Sequence, residues 1–371
     1  MKKYSRGVKV VAFLFMLSLF LIAGLVIGEV ACRFNPEYGR AGFQFDKNLI
    51  WRLNKNFVGK KAYAQGQVPG KEPFVLRINN KGFRGGNFKI AKSKDLKRIM
   101  VLGDSYTAGL DYPDDEVFTG AFEQLLNENG GDQYEVMNIS CPAWGTDQQY
   151  QYWFTEGIKY QPDYLIIMIA PNDMRELYNK KLVTLNDHGE IETRSATLPA
   201  KERRGWYLAN RSSFYQYLQK KVFKSNYGDF LKVFHYYPVN YGIKDTTDWD
   251  APIYLKEPFP EIEKTYQLFE KLLETLIVSC EKNDTKMLLG KIPAKVEFDG
   301  SYDTTEFDPQ IVGTRLDSIA KRQGVPLLDL NKVLMEKEDP LSIFMSWEYH
   351  FNQEGHDFAA RQLYNFFNAH K

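Results

Sequence analysis

The sequence has few cysteines and no excess of charge of either sign. Cys32, Cys141 and Cys280 are the only cysteines in 371 residues, too few and too scattered for a disulfide framework or a zinc site. We therefore expect buried free thiols, with a Cys141–Cys280 bridge as the alternative. Lysine and arginine total 48 against 47 acidic residues, so no global field attracts nucleic acid. No nucleic-acid partner is expected.

Internal repeats, low-complexity tracts and histidines at metal-ligand spacing are also missing from the sequence. We therefore expect neither a metal nor another cofactor. The remaining composition is that of a globular protein, with 44% hydrophobic and 26% charged residues and a high aromatic share of 15%. The length suggests one large domain.

One long hydrophobic run does occur, near the N-terminus. Residues 10–27, VVAFLFMLSLFLIAGLVI, carry no charge and are nearly long enough to cross a ~30 Å hydrocarbon layer as a helix. Four basic residues precede the run: Lys2, Lys3, Arg6 and Lys9. This flank predicts a cytoplasmic N-terminus over residues 1–9 and a transmembrane signal-anchor helix over residues 10–28. A cleaved signal peptide is the alternative, and either segment would place the remaining chain outside the cytoplasm, in the periplasm or at the cell surface.

The chain after this run divides into two parts. Residues 29–97 contain Pro, Gly and alternating aromatic runs such as PFVLRI (73–78), which predict a β-rich, membrane-proximal lead-in. Residues 98–371 alternate apolar β-type runs with amphipathic helical stretches. Strands are predicted in 98–103, 134–140, 163–169, 285–292 and 325–330, and helices in 117–131, 147–160, 261–283 and 309–323.

This β-α alternation predicts a three-layer α/β/α sandwich with a mostly parallel, flavodoxin-like sheet. The alternation of strands and helices is not evident between about residues 178 and 258, a stretch rich in Tyr, Trp, Asp and Pro. We interpret that stretch as an insertion over the carboxyl edge of the sheet.

Polar turns that follow predicted strands hold the candidate reactive groups, because the carboxyl ends of parallel strands share one edge of the sheet. The first turn, GDSYTAG (103–109), places Ser105 at the start of a helix. The second, NISCPAWGTDQ (138–148), contains Gly145, whose backbone N–H can approach a bound oxygen closely. The third, APNDM (170–174), offers the side-chain amide of Asn172. Each turn taken alone is also ordinary capping or turn chemistry.

A fourth polar segment lies near the C-terminus. SWEYHFNQEGHDFAA (346–360) contains His350 and, two residues before it, Glu348. A histidine acts as a general base when a partner holds its other ring nitrogen. His356 is the rival histidine, and we assign it to packing or capping of the last helix. Asp104 and Asp173 are assigned to loop geometry.

These four segments, in this order, resemble the SGNH hydrolases, also called the GDSL family, over roughly residues 98–368. The resemblance is carried by Gly-Asp-Ser with Ser105, the isolated Gly145, the Asn-Asp pair beginning at Asn172, and HFNQEGH around His350. The upstream INNKGFRG and the leading hydrophobic helix resemble a membrane-anchored bacterial branch of that family.

The resemblance implies Ser105 as nucleophile and His350 as general base. It also implies an oxyanion hole formed by the backbone N–H groups of Ser105 and Gly145 and the amide of Asn172. The implied chemistry is acyl transfer through an acyl-serine. One departure is that the acid usual in the family, three residues before the histidine, is replaced here by Trp347. Glu348 is the expected substitute, and a Ser-His dyad oriented by a backbone carbonyl is the alternative.

The expected function is that of an extracytoplasmic, membrane-anchored serine esterase acting on O-acetylated carbohydrate, with a lipid ester or thioester as the second substrate class. Two other functions stay open: a glycan O-acetyltransferase using the same Ser-His site, and a non-catalytic binding or assembly protein. Aromatic side chains that could stack on sugars are Trp144, Trp249, Tyr236, Tyr237 and Tyr241.

Overall fold

The computed structural model describes residues 5–34, 42–128, 131–196, 212–221 and 251–371. Helix α1, Arg6–Arg33, contains the predicted hydrophobic run and is long and apolar enough to cross a membrane or to serve as a signal sequence. None of its residues is buried in the protein.

The described residues after α1 contain two small antiparallel sheets before the central sheet begins. Strand β1, Phe43–Asp46, pairs with β2, Ile50–Leu53. Strand β3, Val58–Lys61, pairs with β4, Phe74–Arg77. A tight turn, Tyr63–Gly66, lies between β3 and β4.

Seven more strands follow in the part of the chain that the structure describes, and five of them form the central sheet. The strands are β5 Leu96–Gly103, β6 Gln133–Ser140, β7 Tyr164–Ile169, β8 Val183–Leu185, β9 Ile191–Thr193, β10 Lys286–Lys291 and β11 Leu327–Asp329. The sheet order is β11-β10-β7-β5-β6, and every neighbouring pair is parallel. Strands β8 and β9 form a separate hairpin.

The helices after α1 in the described residues are α2 Ser105–Ala108, α3 Phe118–Glu128, α4 Thr146–Thr155, α5 Asn172–Lys180, α6 Ser213–Lys221, α7 Pro260–Lys282, α8 Ile311–Gln323, α9 Leu330–Leu334 and α10 Gln353–His370. Their ends follow from local chemistry. Pro260 suits the first turn of α7, and Gly324 ends α8 in a left-handed conformation with φ 67°.

Alternate residues of the central strands bury opposite faces of the sheet, as the period of two requires. Met100 and Leu102 of β5 join the core beneath α4, α5, α7 and α8, whereas Ile99 and Val101 join the core beneath α3 and α10. All four side chains are fully buried. The predicted three-layer α/β/α fold with a parallel sheet is confirmed.

The strand order creates a crevice at the carboxyl end of β5. The chain passes from β5 to β6 on one side and then to β7 on the other side of β5, so the loops after β6 and β7 diverge there. Open α/β sheets bind their ligands at such a switch point. Ser105, Gly145 and Asn172 all lie in loops or helix starts at this edge.

The insertion predicted over residues 178–258 lies largely outside the described residues, and its placement stays a prediction. The cysteines are described in full: Cys141 and Cys280 are buried thiols, Cys32 is partly exposed, and none is paired. The expectation of free thiols is confirmed.

Candidate active site

Ser105 is positioned by a tight strand-to-helix turn. Gly103 ends β5, where a Cβ atom would collide with the Thr107 side chain. Asp104 caps the short helix α2 by accepting a hydrogen bond from the Tyr106 N–H at 3.0 Å. Gly109 ends α2 with a left-handed φ of 51°. This turn holds the Ser105 side chain at the carboxyl edge of the sheet.

His350 lies in the segment before α10, and its ring reaches Ser105. The distance from His350 Nε2 to Ser105 Oγ is 2.8 Å. The His350 carbonyl accepts a hydrogen bond from the Met345 N–H at 2.9 Å, and the Tyr106 ring lies 4.8 Å from the imidazole, centroid to centroid. The structure therefore brings together the two residues that the sequence predicted as nucleophile and base, within proton-transfer distance.

Glu348 lies on the other side of the imidazole. Its Oε1 is 3.4 Å from His350 Nδ1, slightly longer than an ordinary hydrogen bond. The buried Nδ1 atom has no hydrogen-bond partner in the structure, so no described backbone carbonyl takes the role of the acid. Trp347, at the position usual for the family's acid, is 42% exposed.

Asn172 opens α5 immediately after β7 and faces the nucleophile turn. Its Nδ2 donates to Asp104 Oδ2 at 3.0 Å, and the same carboxylate oxygen lies 3.4 Å from Ser105 Oγ. Burial raises the pKa of Asp104, although the Asn172 hydrogen bond opposes that shift. The amide of Asn172 is thereby fixed near Ser105.

Asp173 and His356 hold structural positions. Asp173 Oδ2 accepts a hydrogen bond from the Ala170 N–H at 3.1 Å, which fixes the turn after β7. The buried His356 ring packs against Phe118 and Tyr112, and its Nδ1 lies 3.4 Å from the Phe118 N–H. Burial lowers the pKa of His356 to about 3, so this imidazole is neutral at physiological pH.

Gly145 does not present a free donor. Its backbone N–H donates to Gln148 Oε1 at 3.0 Å, which caps the start of α4. A Cβ atom at this position would lie 2.8 Å from Glu176 Cβ. The glycine is therefore explained by close packing of the loop against α5, and this geometry does not support its predicted role in an oxyanion hole.

Ala143, in the same loop, has a backbone conformation that the sequence analysis did not predict. It has a left-handed φ of 59°, which is unusual for a residue other than glycine or asparagine. Its carbonyl accepts a hydrogen bond from Lys180 Nζ, whereas its N–H makes no hydrogen bond within the described part of the chain. No motif marks an alanine in such a conformation, so only coordinates could find it.

The structure also changes the set of aromatic side chains that could stack on a sugar. Trp144 is fully buried, and its indole N–H donates to the Trp51 carbonyl of the lead-in at 2.8 Å, so it cannot stack on a sugar. Trp249, Tyr236, Tyr237 and Tyr241 lie outside the described residues. Trp347 and Tyr349, which are 42% and 57% exposed, flank His350 instead. The Tyr349 ring centroid lies 4.6 Å from that of His350.

Among the residues whose placement is described, no group of three or more His, Cys, Asp or Glu side chains could hold a metal ion.

A serine hydroxyl in contact with an imidazole, at the carboxyl edge of a parallel α/β sheet, defines a serine hydrolase. A family model described as the GDSL-like lipase/acylhydrolase family matches residues 101–358. The chain belongs to this family, as its resemblance to the SGNH hydrolases predicted.

Several solved structures are similar to this chain at low sequence identity. TesA is 10% identical with a TM-score of 0.42, over 74% of this chain and 99% of that one. A lipase/acylhydrolase from Enterococcus faecalis is 12% identical with a TM-score of 0.42, over 74% and 96%. A catalytic mutant of the acetylxylan esterase Axe2 from Geobacillus stearothermophilus is 14% identical with a TM-score of 0.39, over 73% and 93%. No match was found among curated protein sequences.

Proposed function

We propose that this protein is a serine esterase with Ser105 as its nucleophile and His350 as its general base. The observation that carries the proposal is the 2.8 Å contact between His350 Nε2 and Ser105 Oγ. Two groups 245 residues apart in sequence meet there at the switch point of the sheet, where a substrate can enter.

The reaction proceeds by acyl transfer in two steps. Ser105 Oγ attacks the ester carbonyl carbon while its proton passes to His350 Nε2. The bond to the leaving alcohol then breaks, and His350 returns the proton to the departing oxygen. Water attacks the acyl-serine in the same way, giving its proton to His350, so that the carboxylic acid leaves and Ser105 is restored.

The negative charge on the carbonyl oxygen needs hydrogen-bond donors. We assign this role to the Ser105 backbone N–H and to the Asn172 amide, whose nitrogen carries a second N–H besides the one that Asp104 accepts.

Glu348 is proposed as the acid that orients His350. Glu348→Gln should lower the rate of acylation at least ~10-fold, because a neutral amide no longer stabilises the charged imidazole. The measurement is the pre-steady-state burst with a chromogenic acetyl ester. Glu336→Gln, which changes another exposed glutamate, is the matched control. A wild-type burst rate in Glu348→Gln would indicate that Ser105 and His350 act as a dyad, without help from Glu348.

The proposed substrate is an O-acetylated carbohydrate. Exposed Trp347 and Tyr349 provide flat apolar faces beside His350, and such faces suit the C–H surface of a sugar ring. The test is to supply an O-acetylated oligosaccharide together with an unacetylated one and to follow both products. Release of acetate into water supports the esterase. Transfer of acetyl groups to the added oligosaccharide as the main product would assign a glycan O-acetyltransferase instead.

We further infer that α1 is a retained anchor and that the hydrolase domain lies outside the cytoplasm. Glu29 near the end of α1 accepts hydrogen bonds from Ser212 Oγ at 2.7 Å and from the N–H groups of Ser213 and Phe214 at 3.1 Å. These bonds cap α6, so cleavage after the hydrophobic run would remove a contact of the folded protein. The full-length protein should stay in the membrane after alkaline extraction, and cellular release of a domain lacking α1 would contradict the anchor.

A further inference from the structure

We propose that Gln65, which lies in the lead-in and outside the matched family domain, is a positioning residue of the active site. Its side-chain amide bridges the carboxylates of Asp111 and Glu348 and so holds Glu348 beside His350. The inference rests on the proposed function of Ser105 and His350, and it extends that site to a segment of the chain that precedes residue 101.

The bridge is visible in the contacts of the Gln65 amide. Gln65 Nε2 donates to Glu348 Oε1 at 3.1 Å, the same oxygen that lies 3.4 Å from His350 Nδ1. The Gln65 side chain also lies close enough to the Asp111 carboxylate to help lower the pKa of that group. An amide nitrogen carries two N–H groups, so a glutamine can serve two carboxylates at once.

The backbone at Gln65 points to a role for its side chain. Ala64 and Gln65 both adopt left-handed conformations, with φ of 42° and 56°, which L residues other than Asn and Asp rarely do. The turn is held by the Ala64 N–H, which donates to the Asp111 carbonyl at 2.7 Å, and by the Tyr63 hydroxyl, which donates to Gln353 Oε1 at 3.1 Å. Glycine would suit position 65 better, yet a long polar side chain stands there and reaches Glu348.

The charges around the imidazole show why such a bridge matters. Burial opposes ionisation of Asp111, but Lys61, at 2.8 Å, and the Gln65 side chain outweigh it and lower the pKa of Asp111. Asp111 is thus a fixed, ionised anchor. Glu348 is partly exposed, and in the described structure Gln65 is the side chain that ties its Oε1 to that anchor. Without the tie, Glu348 can rotate into solvent and lose its contact with His350 Nδ1.

The variant Gln65→Gly tests whether the Gln65 side chain positions Glu348 or only stabilises the fold. Glycine adopts the left-handed conformation without strain, so the thermal unfolding midpoint should equal or exceed that of the wild type. The rate at which a fluorophosphonate labels Ser105 in the full-length, detergent-solubilised protein should nevertheless fall three- to tenfold. Gln67→Ala, which changes an exposed glutamine two residues further along the same segment, should label at the wild-type rate.

Gln65→Glu adds a readout that a purely structural role would not change. A fourth carboxylate would join those of Asp104, Asp111 and Glu348 near His350, while Lys61 and the neutral His356 stay as they are. Added negative charge favours the charged imidazole. The acid limb of the labelling rate should therefore move to higher pH.

The outcomes distinguish the inference from the function on which it rests. Slower labelling in Gln65→Gly at unchanged stability, with a shifted pH profile in Gln65→Glu, supports the bridge. Wild-type labelling and an unshifted profile in the two variants overturn the bridge alone. Failure of the wild-type protein to label at Ser105 overturns the proposed function and the bridge together.

Discussion

Ser105→Ala should abolish ester hydrolysis, with the turnover of a chromogenic acetyl ester falling at least ~10³-fold. The reaction needs an oxygen nucleophile that can give its proton to His350 Nε2, and Ser105 Oγ lies 2.8 Å from that nitrogen. An alanine leaves no atom to form the acyl-enzyme. Stability should change little, because the other contact of the hydroxyl is a 3.4 Å approach to Asp104 Oδ2.

The measurement combines turnover with mass spectrometry after fluorophosphonate treatment of the full-length protein. Wild type should carry one adduct, on the peptide that contains Ser105, and Ser105→Ala should carry none. Ser346→Ala is the matched control, since its hydroxyl is exposed close to the site. Equal turnover in wild type and Ser105→Ala would defeat the assignment of the nucleophile. A wild type that neither turns over esters nor labels would favour the non-catalytic binding or assembly protein.

The central sheet could be predicted from the sequence because its strands are buried on both faces. Runs such as RIMVLG and DYLIIMIA are apolar after their first, charged residue, which sets them apart from half-buried strands and from amphipathic helices. Boundaries were less accurate where tertiary contacts decide them. The helix predicted over residues 147–160 ends at Thr155, and a separate short turn covers Gly157–Tyr160, with Gly157 packed against Trp153.

The candidate site was predictable where residue type carries the chemistry. A hydroxyl, an imidazole and an amide following predicted strands indicated Ser105, His350 and Asn172. The role of Gly145 stays a prediction, because a glycine can serve close packing as well as a close approach to ligand. Burial of Trp144 could not be predicted, since its partner is the Trp51 carbonyl, 93 residues away in the lead-in.

The lead-in itself was predicted only as a β-rich segment, yet it supports the nucleophile turn. In INNKGFRG (78–85), Asn79 Oδ1 accepts hydrogen bonds from the N–H groups of Lys81 and Phe83, and Gly82 has a left-handed φ of 87°. This compact turn directs the side chain of Arg84 into the protein. The hydrophobic periodicity of a sequence does not reveal which groups such a side chain contacts.

Arg84 binds the loop that follows Ser105. Its guanidinium donates to the carbonyls of Ala108 at 2.7 Å, Gly109 at 2.6 Å and Tyr112 at 2.7 Å. It also pairs with Asp114 at 2.7 Å. A planar guanidinium with five donors can satisfy several carbonyls at once, which a lysine cannot do. Arg84 of the lead-in thus fixes the C-terminal end of α2, the helix that begins at Ser105.

Arg84→Met should therefore destabilise the protein and slow its chemistry together. Methionine fills the volume but leaves buried carbonyls without donors, a loss of at least ~3 kcal/mol, which corresponds to a thermal midpoint lowered by roughly 6–12 °C. Fluorophosphonate labelling of Ser105, measured well below that midpoint, should also slow, because α2 loses its support. Arg77→Met, on the exposed face of β4, is the control and should match the wild type. A midpoint within 2 °C of the wild type with full labelling would show that the loop after Ser105 holds its conformation without Arg84.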